Sequence, residues 1–361
     1  MGKIFKFLFL LAGLAVAAVA AVLTFGTAAA PPELAVISAP FRSVDFSDLP
    51  PLQKLEVAAT SGPLAYRRYG GDSKLAVIAL HGSTAASPSL HSLAKRLLAE
   101  GMTVYVPDLR GHGATGQRGD IDNVARMTTD IDMLTSRVRL DLPEATVVIV
   151  GFSAGGGLAL RYGGSPMGFN ADRYVLVAPA LGRGAPTTKS SGDPWAAPHI
   201  PRIIALSVLN RFGITLLDGL EAIRFAVPAD AGDRQTPAYS FRMLKGMLPQ
   251  DYVADLRGLV RPTVAVLAEK DELFDAATLR KALIDVRTEI SVTTVPGIGH
   301  IALTMDPAGH AAIIDAIRGD NLENRPDLDD PDGTMNPALK QPPAAEEPGP
   351  GIAPPRPQQG G

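Results

Sequence analysis

Short apolar runs alternate with helical repeats through most of this chain. The clearest runs cover residues 75–80, 102–106, 146–150, 174–177, 263–267 and 290–295. Each is almost continuously apolar and rich in β-branched residues, the pattern of parallel strands covered on both faces. Between them, helical spacing predicts helices at 89–100, about 123–140, 154–162, 276–286 and 307–318. Gly101 sits where a helix C-terminus wants glycine, and Pro307 suits a first helical turn. Alternation of this kind predicts an α/β fold: a mostly parallel, doubly wound sheet with helices on both sides. That core takes in residues 55–180 and 258–318.

Other stretches break the rhythm. Residues 181–257 carry loops, several prolines and short helical pieces, with Ile203, Ile204, Leu206, Val208, Leu209 and Phe212 apolar in their middle. No convincing strand stands out there, so the segment reads as a mainly helical cap insertion. It is expected over the carboxyl ends of the strands, where such sheets bind ligands. Residues 1–30 start with Lys3 and Lys6 and then run apolar to Phe25. From Ile4, that run would make a helix of about 33 Å, enough to cross a hydrocarbon core. Ala28, Ala29 and Ala30 resemble a signal-peptidase site, but Pro31 follows directly. The expectation is an N-terminal membrane anchor or signal peptide. Lys3 and Lys6 place the short end in the cytoplasm and the main domain on the extracytoplasmic side. Residues 31–54, with Pro31, Pro32, Pro40 and Pro50, read as a Pro-rich spacer. Residues 319–361 are rich in Pro, Gly, Ala, Gln and acids, and too poor in large apolar residues to offset ordering entropy. They read as a disordered tail.

Composition narrows the function classes. The 361 residues are 46% hydrophobic, enough for a large core, and the net charge of −3 is spread without a basic stripe that would suit nucleic acid. Cysteine is absent, which excludes disulfides, zinc thiolate sites and a cysteine nucleophile together.

One pentapeptide then carries chemistry: Gly151-Phe152-Ser153-Ala154-Gly155, between an apolar run and a helical pattern. A Gly-x-Ser-x-Gly corner from strand to helix holds its serine in a strained turn and exposes Oγ beside free N–H groups at the helix start. A serine hydroxyl needs a base, and the base needs an acid to orient it. Of six histidines, His300 stands just past the last strand in Pro296-Gly297-Ile298-Gly299-His300. The chain order Ser…Asp…His that accompanies this corner points to Asp271, after the run at 263–267. The neighbouring Glu269 and Glu272 read as solvated loop charges, and Asp275 as a cap for the helix near 276. Oxyanion donors are expected from the N–H groups of Ala154 and Ser83, with Gly82 admitting the close approach and His81 tying the loop down.

Taken together, His81-Gly82-Ser83, Val106-Pro107-Asp108-Leu109-Arg110-Gly111-His112-Gly113, Gly151-Phe152-Ser153-Ala154-Gly155-Gly156, Glu269-Lys270-Asp271 and Gly299-His300 resemble the α/β-hydrolase superfamily. Within it, they resemble the branch of monoacylglycerol lipases, lysophospholipases and serine-aminopeptidase-like enzymes. The resemblance implies an α/β-hydrolase fold and hydrolysis of ester, thioester or amide bonds through an acyl-enzyme, with no cofactor and no metal. It also implies that the insertion forms part of the pocket and that 108–113 is a structural loop. Ser83-Thr84-Ala85-Ala86-Ser87 departs from the branch's longer Gly- and Glu-rich oxyanion loop, which bears on glyceride specificity. The expected function is a carboxylic ester hydrolase taking a small acyl ester or lipid. Two rivals are a cofactor-free perhydrolase or haloperoxidase-like enzyme and a membrane-tethered, non-catalytic module.

Overall fold

Eight strands form one sheet in the computed structural model, which describes residues 2–319 apart from 27, 57–61, 183–184, 190–194, 229–231 and 233–234. The chain opens with α1 (Gly2–Thr24), α2 (Ala35–Arg42), β1 (Leu52–Leu55), β2 (Leu64–Tyr69) and β3 (Leu75–Leu80). A 3-10 turn at Ser87–Leu90 leads into α3 (His91–Ala99), β4 (Thr103–Pro107), α4 (Arg126–Asp141), β5 (Thr146–Phe152), α5 (Ala154–Gly163) and β6 (Arg173–Val177). The insertion holds β7 (Ala196–Pro198), α6 (Ile200–Arg211), β8 (Glu221–Phe225), β9 (Ala238–Ser240), α7 (Phe241–Met247) and α8 (Tyr252–Gly258). Then come β10 (Thr263–Ala268), α9 (Ala276–Ile284), β11 (Ser291–Val295), α10 (Ala302–Met305) and α11 (Pro307–Arg318).

The order across the sheet is β1-β2-β4-β3-β5-β6-β10-β11. From β4 to β11 every pairing is parallel, and β1 and β2 run antiparallel at one edge. This is the doubly wound α/β arrangement that the alternation predicts. Continuous apolarity translates into burial: every residue of β4 and β10 is buried, and β3 is exposed only in part at Leu75. β5 lies between β3 and β6, so the corner after Phe152 emerges from the middle of the sheet. Strands β1 and β2 escape an apolar criterion because Gln53 and Lys54 interrupt the first and Arg67 and Arg68 the second. Arg67 Nε instead donates to Ser87 Oγ at 3.2 Å along the sheet's edge. Gly101, at φ 83°, closes α3 as expected: its N–H reaches the Leu98 carbonyl, and that of Met102 reaches Leu97.

The insertion differs from its sequence reading. Helices outweigh strands, yet β7, β8 and β9 form a three-stranded antiparallel sheet. Two of these strands have only three residues, too short for a readable period, and β9 is fixed by the core. The Ser240 N–H donates to the Gly119 carbonyl at 2.8 Å, and Arg242 Nε to Asp120 at 2.9 Å.

The segment read as a spacer, 31–54, also carries structure: α2 and β1 lie within it, and Ile37 is buried. Asp48 ties it down, meeting His91 Nε2 at 2.9 Å and Lys95 Nζ at 2.6 Å. Helix α1 packs against α6, where the buried Arg202 donates to the Glu221 carbonyl at 2.9 Å and to carbonyls at the end of α1. Among the described residues, no helix is long and apolar enough to cross a membrane; many side chains of α1 lie outside the described residues. The tail at 319–361, apart from Gly319, also lies outside them.

Candidate active site

The end of β5 is shaped by what cannot fit there. A Cβ at Gly151 would run into the Gly155 carbonyl and stand 2.8 Å from Ala159 Cβ. A Cβ at Gly155 would strike the carbonyls of Leu80 and His81. With both positions stripped, the chain turns so tightly that Ser153 takes φ 56° and ψ −119° before α5 begins. A non-glycine residue in that region is strained, and neighbouring structure must hold it. Here the Ser153 N–H is pinned to the Val177 carbonyl at 2.8 Å. Ser153 and His300 both line one cavity of about 400 Å³. Ser153 Oγ itself hydrogen-bonds no described group, which is common before substrate tightens such a contact.

The other two candidates meet directly. Asp271 follows β10, His300 follows β11, and His300 Nδ1 lies 2.7 Å from Asp271 Oδ2. Both are almost fully buried. Oδ1 of Asp271 accepts the N–H groups of Leu273 and Phe274, each at 2.8 Å, so the carboxylate is fixed on both sides. A carboxylate only accepts, so Nδ1 carries the proton and Nε2 keeps its lone pair for a base's work. Phe152 and Phe274 flank the imidazole, with ring centroids 4.8 and 5.4 Å away.

The neighbouring acids are not merely solvated charges, as their loop position suggested. Glu272 Oε2 accepts the backbone N–H of His300, and Glu269 Oε2 that of Gly297, each at 2.7 Å. They grip the glycine-rich loop by its backbone while Asp271 takes the ring. Asp275 caps α9 as expected, accepting the Thr278 N–H at 2.8 Å.

The loop after β3 brings Ser83 to the same cavity. Gly82 admits it, since a Cβ there would already be 3.3 Å from Ser153 Cβ. The N–H groups of Ser83 and Ala154 donate to no described acceptor and are free for a ligand. The insertion holds this loop. Thr84, at φ 66°, donates its N–H to the Tyr239 hydroxyl at 2.6 Å, and its carbonyl accepts from Thr236 at 2.6 Å. Trp195 Nε1 reaches Ser83 Oγ at 3.3 Å. The Tyr239 hydroxyl lies 2.6 Å from His112 Nε2. Because that hydroxyl accepts from Thr84, its own proton goes to the imidazole.

His112 and His81 are therefore scaffold. His81 Nε2 accepts the Leu109 N–H at 3.0 Å, and Nδ1 donates to the Gly82 carbonyl at 2.8 Å. Burial pushes the pKa of His81 down and that of His112 well below the ordinary range. Asp108 accepts the N–H groups of Ser87 and Ala114 at 2.7 and 2.9 Å. Arg110 and Asp130 form a buried pair at 2.6 Å. The loop 108–113 thus frames the site without entering it. Sequence reasoning missed Tyr239, Trp195 and Gln235, the last lining the cavity with a buried Oε1 that has no partner among the described residues. None of them stands in a motif or a periodic pattern.

Comparison with known proteins agrees with this architecture. The family model for serine aminopeptidase, S33, matches residues 71–307. Over 111 residues the chain is 31% identical to the monoacylglycerol lipase of Mycolicibacterium smegmatis, covering 30% of this chain and 39% of that protein. The likeness thus spans well under half of that relative. Among solved structures, a soluble variant of the Saccharomyces cerevisiae monoglyceride lipase, in complex with a substrate analogue, superposes with a TM-score of 0.57 at 15% identity. It covers 76% of this chain and 96% of its own. The Paleococcus ferrophilus monoacylglycerol lipase gives 0.54 at 19% identity, covering 71% and 98%. At such identities the solved structures establish the fold.

Proposed function

The chain belongs to the serine aminopeptidase S33 family of α/β-hydrolases, and from that premise we propose that it is a serine esterase for lipid-like or medium-chain acyl esters. The observation that carries this reading is the His300–Asp271 contact at 2.7 Å beside a cavity shared with a serine at φ 56°. In the proposed mechanism, Ser153 Oγ attacks the acyl carbon while His300 Nε2 takes its proton. The N–H groups of Ser83 and Ala154 hold the oxyanion, each donor worth about 3–4 kcal/mol of barrier. His300 then returns the proton to the departing alcohol. Water, deprotonated by the same nitrogen, releases the acid and restores Ser153.

Three features support a lipid-like substrate. Two of the similar proteins are named as lipases of monoacylglycerol. Ile200, Ile204 and Val208 stand exposed at four-residue spacing along α6, an apolar stripe facing outward. Gln235 Oε1, with no partner among the described residues, offers an acceptor to a hydroxyl on the alcohol portion. The proposal extends to location: residues 1–30 anchor or export the chain, with the catalytic domain extracytoplasmic. That part rests on Lys3, Lys6 and the apolar run after them. Protease accessibility of the domain in intact cells tests it.

The test of function uses a fluorophosphonate probe and p-nitrophenyl esters of increasing chain length, with Ser153→Ala as the blank. Labelling and hydrolysis lost together in the variant are expected. A wild-type protein that takes no label and cleaves no ester would remove the proposal.

A further inference from the structure

We propose that residues 34–46, the strap joining α1 to the core, form the wall of the substrate cavity that selects the acyl chain. This rests on the esterase reading and names the part of the molecule that sets its chain-length preference.

The strap enters the site itself. Ile37, Phe41, Val44 and Phe46 line the same cavity as Ser153 and His300. They are pinned from both ends. Ile37 is 5% exposed and belongs to the main hydrophobic core. Past Phe46, Asp48 bonds His91 Nε2 at 2.9 Å, and the Tyr69 hydroxyl meets the other ring nitrogen at 2.9 Å. The strap's Ser38 and Arg42 also line the cavity, but both are engaged by Glu33 just before it. Ser38 donates to Glu33, and Arg42 pairs with the same carboxylate at 2.7 Å. The strap's four apolar side chains are continued on the core side by Leu90 and Ile301.

Such an apolar wall favours a saturated chain. Removing a chain from water is worth roughly four-fold in affinity per buried methylene. A wall of four apolar side chains therefore separates long esters from short ones by at least ten-fold. The strap also descends directly from α1, so the chain that would tether the enzyme lines its pocket too.

The experiment uses the full chain and two independent readouts. In the first, Phe41→Ala and Ile37→Ala are expected to lower the ratio of kcat/KM for p-nitrophenyl decanoate over butyrate at least ten-fold. Phe41→Leu should restore most of it. An unchanged ratio in a variant that melts like the wild type would overturn the proposal. Should both alanine variants fail to fold, Val44→Ala, a smaller deletion, should still lower the ratio several-fold, and no change there is equally decisive.

The second readout needs no turnover. Trp195 is the sole tryptophan of the chain and lines this cavity, so its fluorescence reports occupancy. In a Ser153→Ala background, decanoate should bind, and Phe41→Ala should raise its Kd at least ten-fold. No binding, or binding indifferent to Phe41, refutes the wall. If wild-type protein cleaves no ester while decanoate still binds through the strap, the esterase reading has failed and the wall stands.

Discussion

The two sides of the cavity are held by different kinds of constraint. On the chemical side, Ser153 stands in a turn that two glycines make possible, and His300 is clamped between Asp271, two aromatic rings and the carboxylate of Glu272. The contacts there are mostly buried hydrogen bonds, and the turn has no room for a Cβ at Gly151 or Gly155, so small displacements are expensive. On the opposite side, the strap is pinned by Ile37 and by Asp48, whose side chain is half exposed, as is that of its partner Lys95. An exposed ion pair of this kind contributes little. The first side is built for position and the second for fit. Substitutions on the first should change rate with the fold intact, and substitutions on the second should change which substrate is preferred.

The sharpest way to break that division is at the proposed nucleophile. Ser153→Ala and His300→Ala should each lower kcat on a p-nitrophenyl ester by about 10⁴-fold or more. Thermal melts of Ser153→Ala should stay near the wild type, whereas His300→Ala, which leaves the buried Asp271 carboxylate without its ring partner, should melt lower. Residual activity within ten-fold of wild type would move the chemistry elsewhere. Next comes the acid. Asp271→Asn presents an amide to His300 and disfavours the working tautomer, for a loss of about 10³-fold or more. Glu272→Gln and Glu269→Gln touch only backbone N–H groups of the loop and should cost about ten-fold at most. If either glutamate variant proved worse than Asp271→Asn, the ring contact would not be the one that matters.

A subtler break lies where the insertion touches the chemical side. Tyr239→Phe leaves the Thr84 N–H and His112 Nε2 without the partner each has at 2.6 Å. An unsatisfied buried group costs about 1–3 kcal/mol, and the loop bearing Ser83 should loosen. The expected result is a kcat lower by about ten-fold with KM little changed, as befits an interaction that serves the oxyanion. A change in KM alone would place Tyr239 among the walls that bind substrate instead.

What could be read from the sequence follows the same division. Strands β3, β4, β5, β6 and β10 were legible because burial on both faces demands near-continuous apolarity, the partly exposed β11 because of its β-branched run, and the corner at Ser153 because only glycine tolerates its crowding. Asp271 and His300 followed from chain order once the serine was placed. The site's other members depend on packing between segments far apart in sequence. Tyr239 reaches Thr84 across 155 positions, and no local signal announces that. Strands β7 and β9 are three residues each, shorter than any period. The strap looked like a spacer because its prolines and small residues carry no regular pattern; only the core beneath it reveals Ile37 and Phe41 as one face. Glu269 and Glu272 looked like solvated charges because acids in a loop usually are.

The smallest expected effect concerns the scaffold beneath the chemical side. His81 and His112 meet edge to face with ring centroids 4.9 Å apart, and burial lowers the pKa of both. In the folded state they stay neutral at a pH where the unfolded chain, with histidines near 6.5, takes up protons. The unfolded state then binds more protons than the folded one, so stability is full above about pH 6.5 and falls as pH drops below it. The slope is about 1.4 kcal/mol per pH unit for each histidine that remains neutral. Thermal melts between pH 7.5 and 5 should therefore show a falling Tm. His112→Gln keeps an acceptor for Tyr239 while removing one titrating group, so its decline should be shallower than that of the wild type. Parallel declines would mean that the acid-sensitive group is not here, and that the fold loses stability at low pH for some reason other than these buried rings.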